Sequence, residues 1–314
     1  MEKNRKILVS ICAFLLLSVL LSVMQIYFTM DKTRSSASVF NTETSPGVGV
    51  VRLYGVISMS GEESVFGELP GADGVVAKLD DFENDDTIKA IVLRIDSPGG
   101  TVAATQEIFQ KLMKIRRKNK IIVASMGDLA ASGGYYAASA CNYIMANHGT
   151  ITASIGVIAA APNLKGLFEK LGIKMNVIKS GKYKDILSSS RDMTDDEKSL
   201  LQSMIDSSYQ QFLKDVSLGR NIPIDDIRPV ADGRVMGGDA ALEAKLIDAI
   251  GTYEDAIAKA KELAKLPEDA PVYENRENPL DKIFGGVQNT FKGGPVGAVL
   301  KTQPSLPVEY RYLP

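Results

Sequence analysis

Residues 120–141, KIIVASMGDLAASGGYYAASAC, constrain the fold more than any other stretch of the chain. Residues 121–124 form an apolar run short enough for one buried strand. The run breaks at Met126-Gly127-Asp128, a turn-like sequence, and gives way to Ala130-Ala131-Ser132-Gly133-Gly134 and further small residues up to Ala140. A buried strand that breaks into a small-residue helix lifts one side chain to the helix N-terminus. Free backbone N–H groups and the helix dipole favour negative charge there. Ser132 stands at that point, and the glycines behind it leave room for a carbonyl to approach. Serine nucleophiles at strand-to-helix turns use the same geometry. Taken alone, the stretch is explained more plainly by Ser132 as an N-cap, with glycines that permit tight packing. The rest of the chain decides between the two.

A length of 314 residues fits one or two domains. A net charge of -2 gives no electrostatic footprint for nucleic acid, and no nucleic-acid partner is expected. The chain has no Trp and one His, which narrows the catalytic options. Residues 7–30 carry no charged side chain and are long enough to cross a bilayer as a helix. Lys3, Arg5 and Lys6 precede them, so the N-terminus should stay in the cytoplasm and the bulk should lie outside. A cleaved signal peptide would have a shorter apolar core ending in a small-x-small site. This run ends Gln25-Ile26-Tyr27-Phe28-Thr29-Met30, so an uncleaved anchor is expected. Cys12 and Cys141 offer neither a disulfide framework nor a metal cluster, and no cofactor or metal is expected. Cys141 reads as a small buried apolar residue.

The expected organisation is a cytoplasmic N-terminus (1–6), an anchor (7–30), a Ser/Thr-rich linker (31–47), a folded domain (48–266) and a partly mobile extension (267–314). Strand patterns at 48–58, 89–95, 121–124 and 143–146 alternate with helical patterns at 75–82 and 102–117, which argues for parallel βαβ units and an α/β fold. Beyond these come a short helix at 164–171, a strand at 174–178, and a long helix opened by Thr194 with Glu197 at capping-box spacing. Leu201, Met204, Ile205, Phe212 and Val216 give that helix an apolar stripe for the core or for an oligomer contact. Helical stretches at 235–246 and 253–263 follow. The tail end, Tyr310 to Pro314, is apolar and extended and could lie in the protein's own groove.

Asp96-Ser97-Pro98-Gly99-Gly100 ends the strand at 89–95. Pro98 stiffens the turn, and the two glycines allow unusual backbone angles with N–H groups exposed. In a parallel sheet this loop and the Ser132 loop both lie at carboxyl ends of strands, where ligands bind. Gly99 or Gly100 can then offer one N–H to an oxyanion, and Gly133 a second. A serine nucleophile also needs a base. His148 makes a Ser-His-Asp triad formally possible, but no acid presents itself as orienter, and a loop histidine without a role is the plainer reading. Lys184 occupies another strand-end loop, between Tyr183 and Asp185. A lysine base must be neutral, which requires its pKa to fall by about 3 units from ~10.4. Burial can supply shifts of up to ~3–5 units, and a hydroxyl such as that of Ser154 could hold the neutral amine. Lys179 and Lys182 meet the same sequence criteria.

Four motifs therefore appear in order: Asp96-Ser97-Pro98-Gly99-Gly100; Ala131-Ser132-Gly133-Gly134-Tyr135-Tyr136; Ser154-Ile155-Gly156-Val157; and Ser180-Gly181-Lys182-Tyr183-Lys184-Asp185. Together they are specific, and the chain resembles the signal peptide peptidase A family, membrane-anchored bacterial Ser-Lys peptidases, in its short single-domain form. The likeness covers roughly residues 48–263 and the anchor. It implies an α/β fold of the Clp-protease/crotonase-like type, with Ser132 as nucleophile, Lys184 as general base and Ser154 positioning the lysine. It implies an oxyanion hole from Gly133 and from Gly99 or Gly100, the related Clp protease pattern pointing to Gly100. It also implies homo-oligomeric, dome-shaped rings that cut remnant signal peptides and other apolar peptides at the outer face of the cytoplasmic membrane. The sequence departs from the family's pattern at Ala153, where glycine is commoner, and at Ser188-Ser189-Ser190, where Ser-Pro is often seen. Two readings of another class are a crotonase-like acyl-CoA enzyme and a non-catalytic membrane scaffold joined through the 201–216 helix. Neither requires a serine and a lysine together.

Overall fold

Apolar runs that lack alternation belong in strands covered on both faces, and two such runs form the middle of the sheet. The structure, a computed structural model, describes residues 45–64, 67–274 and 309–311. The first part of the chain runs β1 (Gly47–Tyr54), a hairpin of β2 (Glu62–Ser64) and β3 (Gly67–Leu69), α1 (Ala72–Asn84), β4 (Ile88–Ser97), β5 (Gly99–Thr101) and α2 (Val102–Arg117). Next come β6 (Ile121–Ala131), α3 (Gly133–Ser139), β7 (Tyr143–Ala146), β8 (Ile151–Ala153), α4 (Lys165–Lys170) and α5 (Asp195–Arg220). The remainder is α6 (Ile224–Ile227), β9 (Val235–Gly237), α7 (Gly238–Glu243), β10 (Ala249–Ile250), α8 (Tyr253–Leu263), β11 (Val272–Tyr273) and β12 (Glu309–Arg311).

The strand order is β10-β7-β6-β4-β1-β11, with every neighbouring pair parallel. Beyond β7, the far end of β6 pairs in parallel with β8, and β9 runs antiparallel to β8, so the α/β fold has a mixed sheet. The period of two along each strand divides the core. Val48, Val50, Ala90, Val92 and Val123 pack with Ala256 and Ala260 of α8. Val51, Leu53, Ile91, Leu93, Ile95 and Ile122 join the larger cluster with α1, α2, α3 and α5. Each large aliphatic side chain so buried contributes about 1.5–3 kcal/mol. Cys141 is buried in the larger cluster, and its burial pushes the thiol up to about 12, so it serves as a core residue.

The stripe on α5 is used in two ways. Phe212, Leu213 and Val216 are buried, and the Phe212 ring lies 4.5 Å from that of Tyr136 on α3. Met204, nearer the N-terminus, is exposed. Thr194 and Glu197 form the expected capping box.

Four expectations need correction. The strand from residue 121 does not break at Met126-Gly127-Asp128: β6 continues to Ala131, with a register shift against β4. Residues 174–178 form no strand: their apolar side chains are exposed, and no strand among the described residues pairs with them. Residues 235–246 are not one helical stretch, because Val235–Gly237 pairs with β8 before α7 begins. The first strand ends at Tyr54 rather than near residue 58. The expected anchor, residues 7–30, lies outside the described residues, as does most of the extension. Among the described residues, no helix is long and apolar enough to cross a membrane.

Candidate active site

Ser132 joins the end of β6 to the start of α3. It occupies the N-cap position, yet its side chain makes no capping hydrogen bond, which removes the plainer explanation of the residue. Its backbone sits at φ 53°, ψ -115°, a conformation that costs a non-glycine residue of order 1–3 kcal/mol and that clusters at functional sites. Two hydrogen bonds hold it there: its N–H donates to Ala153 O at 2.7 Å, and its carbonyl accepts from Tyr136 N at 2.8 Å. Ala131 pairs with Ala153 in the last rung of β6 and β8, so Ser132 and Ser154 leave neighbouring strand ends together. Ser154 is also left-handed (φ 52°). Its N–H donates to Arg234 O at 2.8 Å and its hydroxyl to Gly233 O at 3.3 Å.

The Gly99-Gly100 loop is fixed from one side. Ile57 N donates to Gly99 O at 2.9 Å, and Thr101 N to Ile57 O at 2.8 Å. The approach is close enough that a Cβ on Gly100 would lie 1.9 Å from Ile57 O. Gly99, at φ 95°, takes a conformation that favours glycine. Its N–H already donates to Ser97 Oγ at 3.1 Å. A Cβ on Gly133 would lie 3.1 Å from Gly99 Cα and 3.2 Å from Gly100 N, so the two glycine loops touch. As the first residue of α3, Gly133 has an N–H with no intrahelical partner. On the outer edge of β5, residues 309–311 add an antiparallel strand, with Tyr310 opposite Gly100. The end of the tail thus lies along one of the two glycine loops.

Ser132, Ser154, Gly99, Gly100 and Gly133 are therefore brought together; Lys184 is not joined to them. It lies in a turn, its own N–H bonded to Gly181 O at 3.2 Å, and its side chain is exposed with no ion-pair or hydrogen-bond partner among the described residues. The described residues of the single chain do not give it the dry surroundings expected for a neutral amine. The rival lysines are both engaged. Lys179 bonds to Asp185 at 2.5 Å, and Lys182 bonds to Asp196, which raises its pKa and makes a neutral amine harder to reach. The stretch around the turn exposes Leu167, Leu171, Ile173, Met175, Val177 and Ile178, the last fully. His148 has an acid partner that the sequence did not reveal, Asp239 at 2.8 Å, but both are exposed. His148 precedes β8, whereas Ser132 meets the other end of that strand at Ala153.

Sequence reasoning missed two residues here. Thr105 of α2 is fully buried, its hydroxyl has no hydrogen-bond partner among the described residues, and a Cβ on Gly133 would lie 2.8 Å from it. Buried Asp215 of α5 accepts a hydrogen bond from the Tyr136 hydroxyl and ties α5 to the helix that begins after Ser132. Neither carries a local signal, since each matters only through a neighbour distant in sequence. A cleft of about 520 Å³ opens beside Ser154, lined by Ile155, Val157, Tyr209 and Gly233 among others.

Comparison with known proteins places this geometry. Peptidase family S49 matches residues 114–267. A protein of Synechocystis sp. that carries a protease name, slr0021, is 42% identical over 250 residues, which are 79% of this chain and 86% of that protein. A protein of Enterococcus faecium that carries the name signal peptide peptidase SppA is 35% identical over 227 residues, covering 72% of this chain and 66% of its own. The chloroplastic serine protease SPPA of Arabidopsis thaliana is 37% identical over 222 residues, 70% of this chain but only 33% of that protein. The chain belongs to peptidase family S49 and is a serine peptidase.

Proposed function

We propose that the chain is a membrane-anchored endopeptidase with a Ser-Lys dyad, built on a Clp-protease/crotonase-like core spanning residues 48–266. The observation that carries the reading is Ser132 in a strained turn that does no capping, next to Gly133 and Gly100. Lys184 takes the proton from the Ser132 hydroxyl, and the oxygen attacks the scissile carbonyl. The oxyanion forms between Gly133 N–H and Gly100 N–H. Gly100 is favoured over Gly99 because the Gly99 amide already donates to Ser97. Each such donor is worth about 3–4 kcal/mol. Lys184 then gives its proton to the leaving amine, and water, activated by the same amine, releases the acyl group. Ser154 holds the neutral lysine. The steps need no cofactor.

Two further observations support the reading. Residues 309–311 lie along β5 as an added strand, which is how an extended peptide is held by main-chain hydrogen bonds. The exposed apolar residues around Lys184 suit a second copy of the chain, whose contact would dry the lysine and complete the site in a ring. Substrates would be extended apolar peptides, among them remnant signal peptides. They would be met at the outer membrane face if residues 7–30 form the anchor that their hydropathy indicates, with residues 31–47 as linker.

The test is intact-mass analysis after treatment with a fluorophosphonate. The parent chain should gain one adduct, on Ser132. Ser132→Ala should gain none, and Lys184→Ala should react at a small fraction of the parent's rate. Full reactivity of Lys184→Ala would reassign the base. Absence of labelling in the parent would overturn Ser132 as the nucleophile.

A further inference from the structure

We propose that Arg191 is a positioning residue for the general base, clamping the turn that carries Lys184 onto the first turn of α5. The proposal rests on the reading of Lys184 as base. Asp185 is the next residue after Lys184. Arg191 grips it three times, through Nε to Oδ2 at 2.9 Å, through a terminal nitrogen to Oδ1 at 2.8 Å, and through the same nitrogen to the Asp185 carbonyl at 3.2 Å. The same terminal nitrogen also reaches Glu197 Oε1 at 2.6 Å, and the other terminal nitrogen reaches Glu197 Oε2 at 2.9 Å. Glu197 has a side chain only 2% exposed and closes the capping box by accepting from Thr194 N at 2.8 Å.

One planar fork therefore joins the base's turn to a helix end that is itself fixed. A lysine could not do this, because a point charge cannot grip two carboxylates in one plane. The far half of α5 is anchored to the nucleophile's helix through Phe212 and through Asp215, which accepts from Tyr136. Arg191 thus ties Lys184 into the same rigid frame as Ser132, although the turn has no regular secondary structure. Without the clamp, the turn retains the Lys179–Asp185 pair, a single exposed ion pair to α5 from Lys182 to Asp196, and three local amide bonds, those of Lys184, Ile186 and Ser188. A base that wanders by an ångström loses on the order of 10²-fold in rate.

The experiment uses the full chain with Arg191→Gln, Arg191→Lys and Asp185→Asn. In the arginine variants kcat should fall by roughly 10–100-fold with KM little changed. The acidic limb of the kcat–pH profile should shift from the parent's, because the base no longer keeps one position among the charges of the turn. The charged groups on the turn and on the elements packed against it are Lys179, Lys182, Asp185, Arg191, Asp192, Asp196 and Glu197. Hydrogen exchange at the amides of Lys184, Ile186 and Ser188 should quicken, while the buried half of α5 stays protected. Arg191→Lys should rescue little. A merely structural role would lower the amount of active enzyme equally at every pH and leave the limb in place; that outcome overturns the proposal. Should Arg191→Gln fail to fold, Asp185→Asn removes one arm of the clamp, leaves Glu197 paired, and is read by the same profile. If Lys184→Ala stays active, the assignment of the base fails; if Lys184→Ala is inactive while the Arg191 variants keep the parent profile, the clamp alone fails.

Discussion

Ser132 and Lys184 stand in regions of opposite construction. Around Ser132, strand ends, two glycine loops and a short helix are buried and tied together by backbone hydrogen bonds within one chain. Around Lys184, the chain runs through turns, shows apolar side chains to solvent, and is held mainly by ion pairs. On the assignment proposed above, the first region would stabilise charge that develops during reaction. The second has the residue type for a base but not the dryness a lysine base requires. On that assignment, folding of one chain builds the oxyanion half of the chemistry, and the proton-transfer half would need a further contact.

The largest expected effect tests the first region. Ser132→Ala should lower kcat by a factor of about 10⁴ or more, with an unchanged circular dichroism spectrum. Gly133→Ala comes next. Its Cβ meets the Thr105 hydroxyl and the Gly100 loop, so the donors separate and kcat should fall about 10²–10³-fold in steady-state assays. A triple change of Met175, Val177 and Ile178 to serine tests the second region. It should leave the melting of the single chain within about 0.5 kcal/mol of the parent. Specific activity at micromolar protein should fall roughly tenfold along with the oligomer seen by sedimentation, because a site completed by association follows protein concentration. If activity persists in a strictly monomeric triple variant, the contrast between the two regions is broken. Deleting residues 309–314 should lower the apparent KM for an added peptide by roughly 2–5-fold, since a groove partly filled by its own tail binds more weakly in proportion to the free fraction.

The smallest effect concerns acid. Arg191, helped by Lys179, holds the Asp185 carboxyl well below the usual range, and Arg191 holds that of Glu197 at about 2. Groups whose folded pKa is depressed stabilise above the unfolded value, near ~4, and lose that contribution as pH falls through the folded one. Melting temperature should therefore be flat from pH 7 to about 5 and decline below about 4. The decline should be shallower in Arg191→Gln.

The strands around Ser132 were legible because their signals are contiguous: β-branched runs, a Pro-Gly-Gly break, a serine before small residues. The helix at 102–117 has the bounds its periodicity gives, and Thr194 with Glu197 caps α5 as their spacing requires. Residues 174–178 misled because an apolar run reports a strand only when a partner edge exists, and none among the described residues faces them. The choice among Lys179, Lys182 and Lys184 was open in sequence, where all three are loop lysines. Folding separates them by pairing two with carboxylates. Thr105, Asp215, Asp239 and the grip of Arg191 became visible only when distant segments met.

The short strand Gly99–Thr101 has one edge fastened to Ile57 and the other lined by residues 309–311. Contact of that kind reads the spine of a visiting chain rather than its letters. A folded protein has no loose spine to offer, so it passes unread, whereas a released, unpaired segment of almost any wording is admitted. Discrimination at this edge is then a matter of the visitor's conformational freedom. On the proposed reading, a peptidase with such an edge could stay switched on beside intact neighbours and still clear fragments.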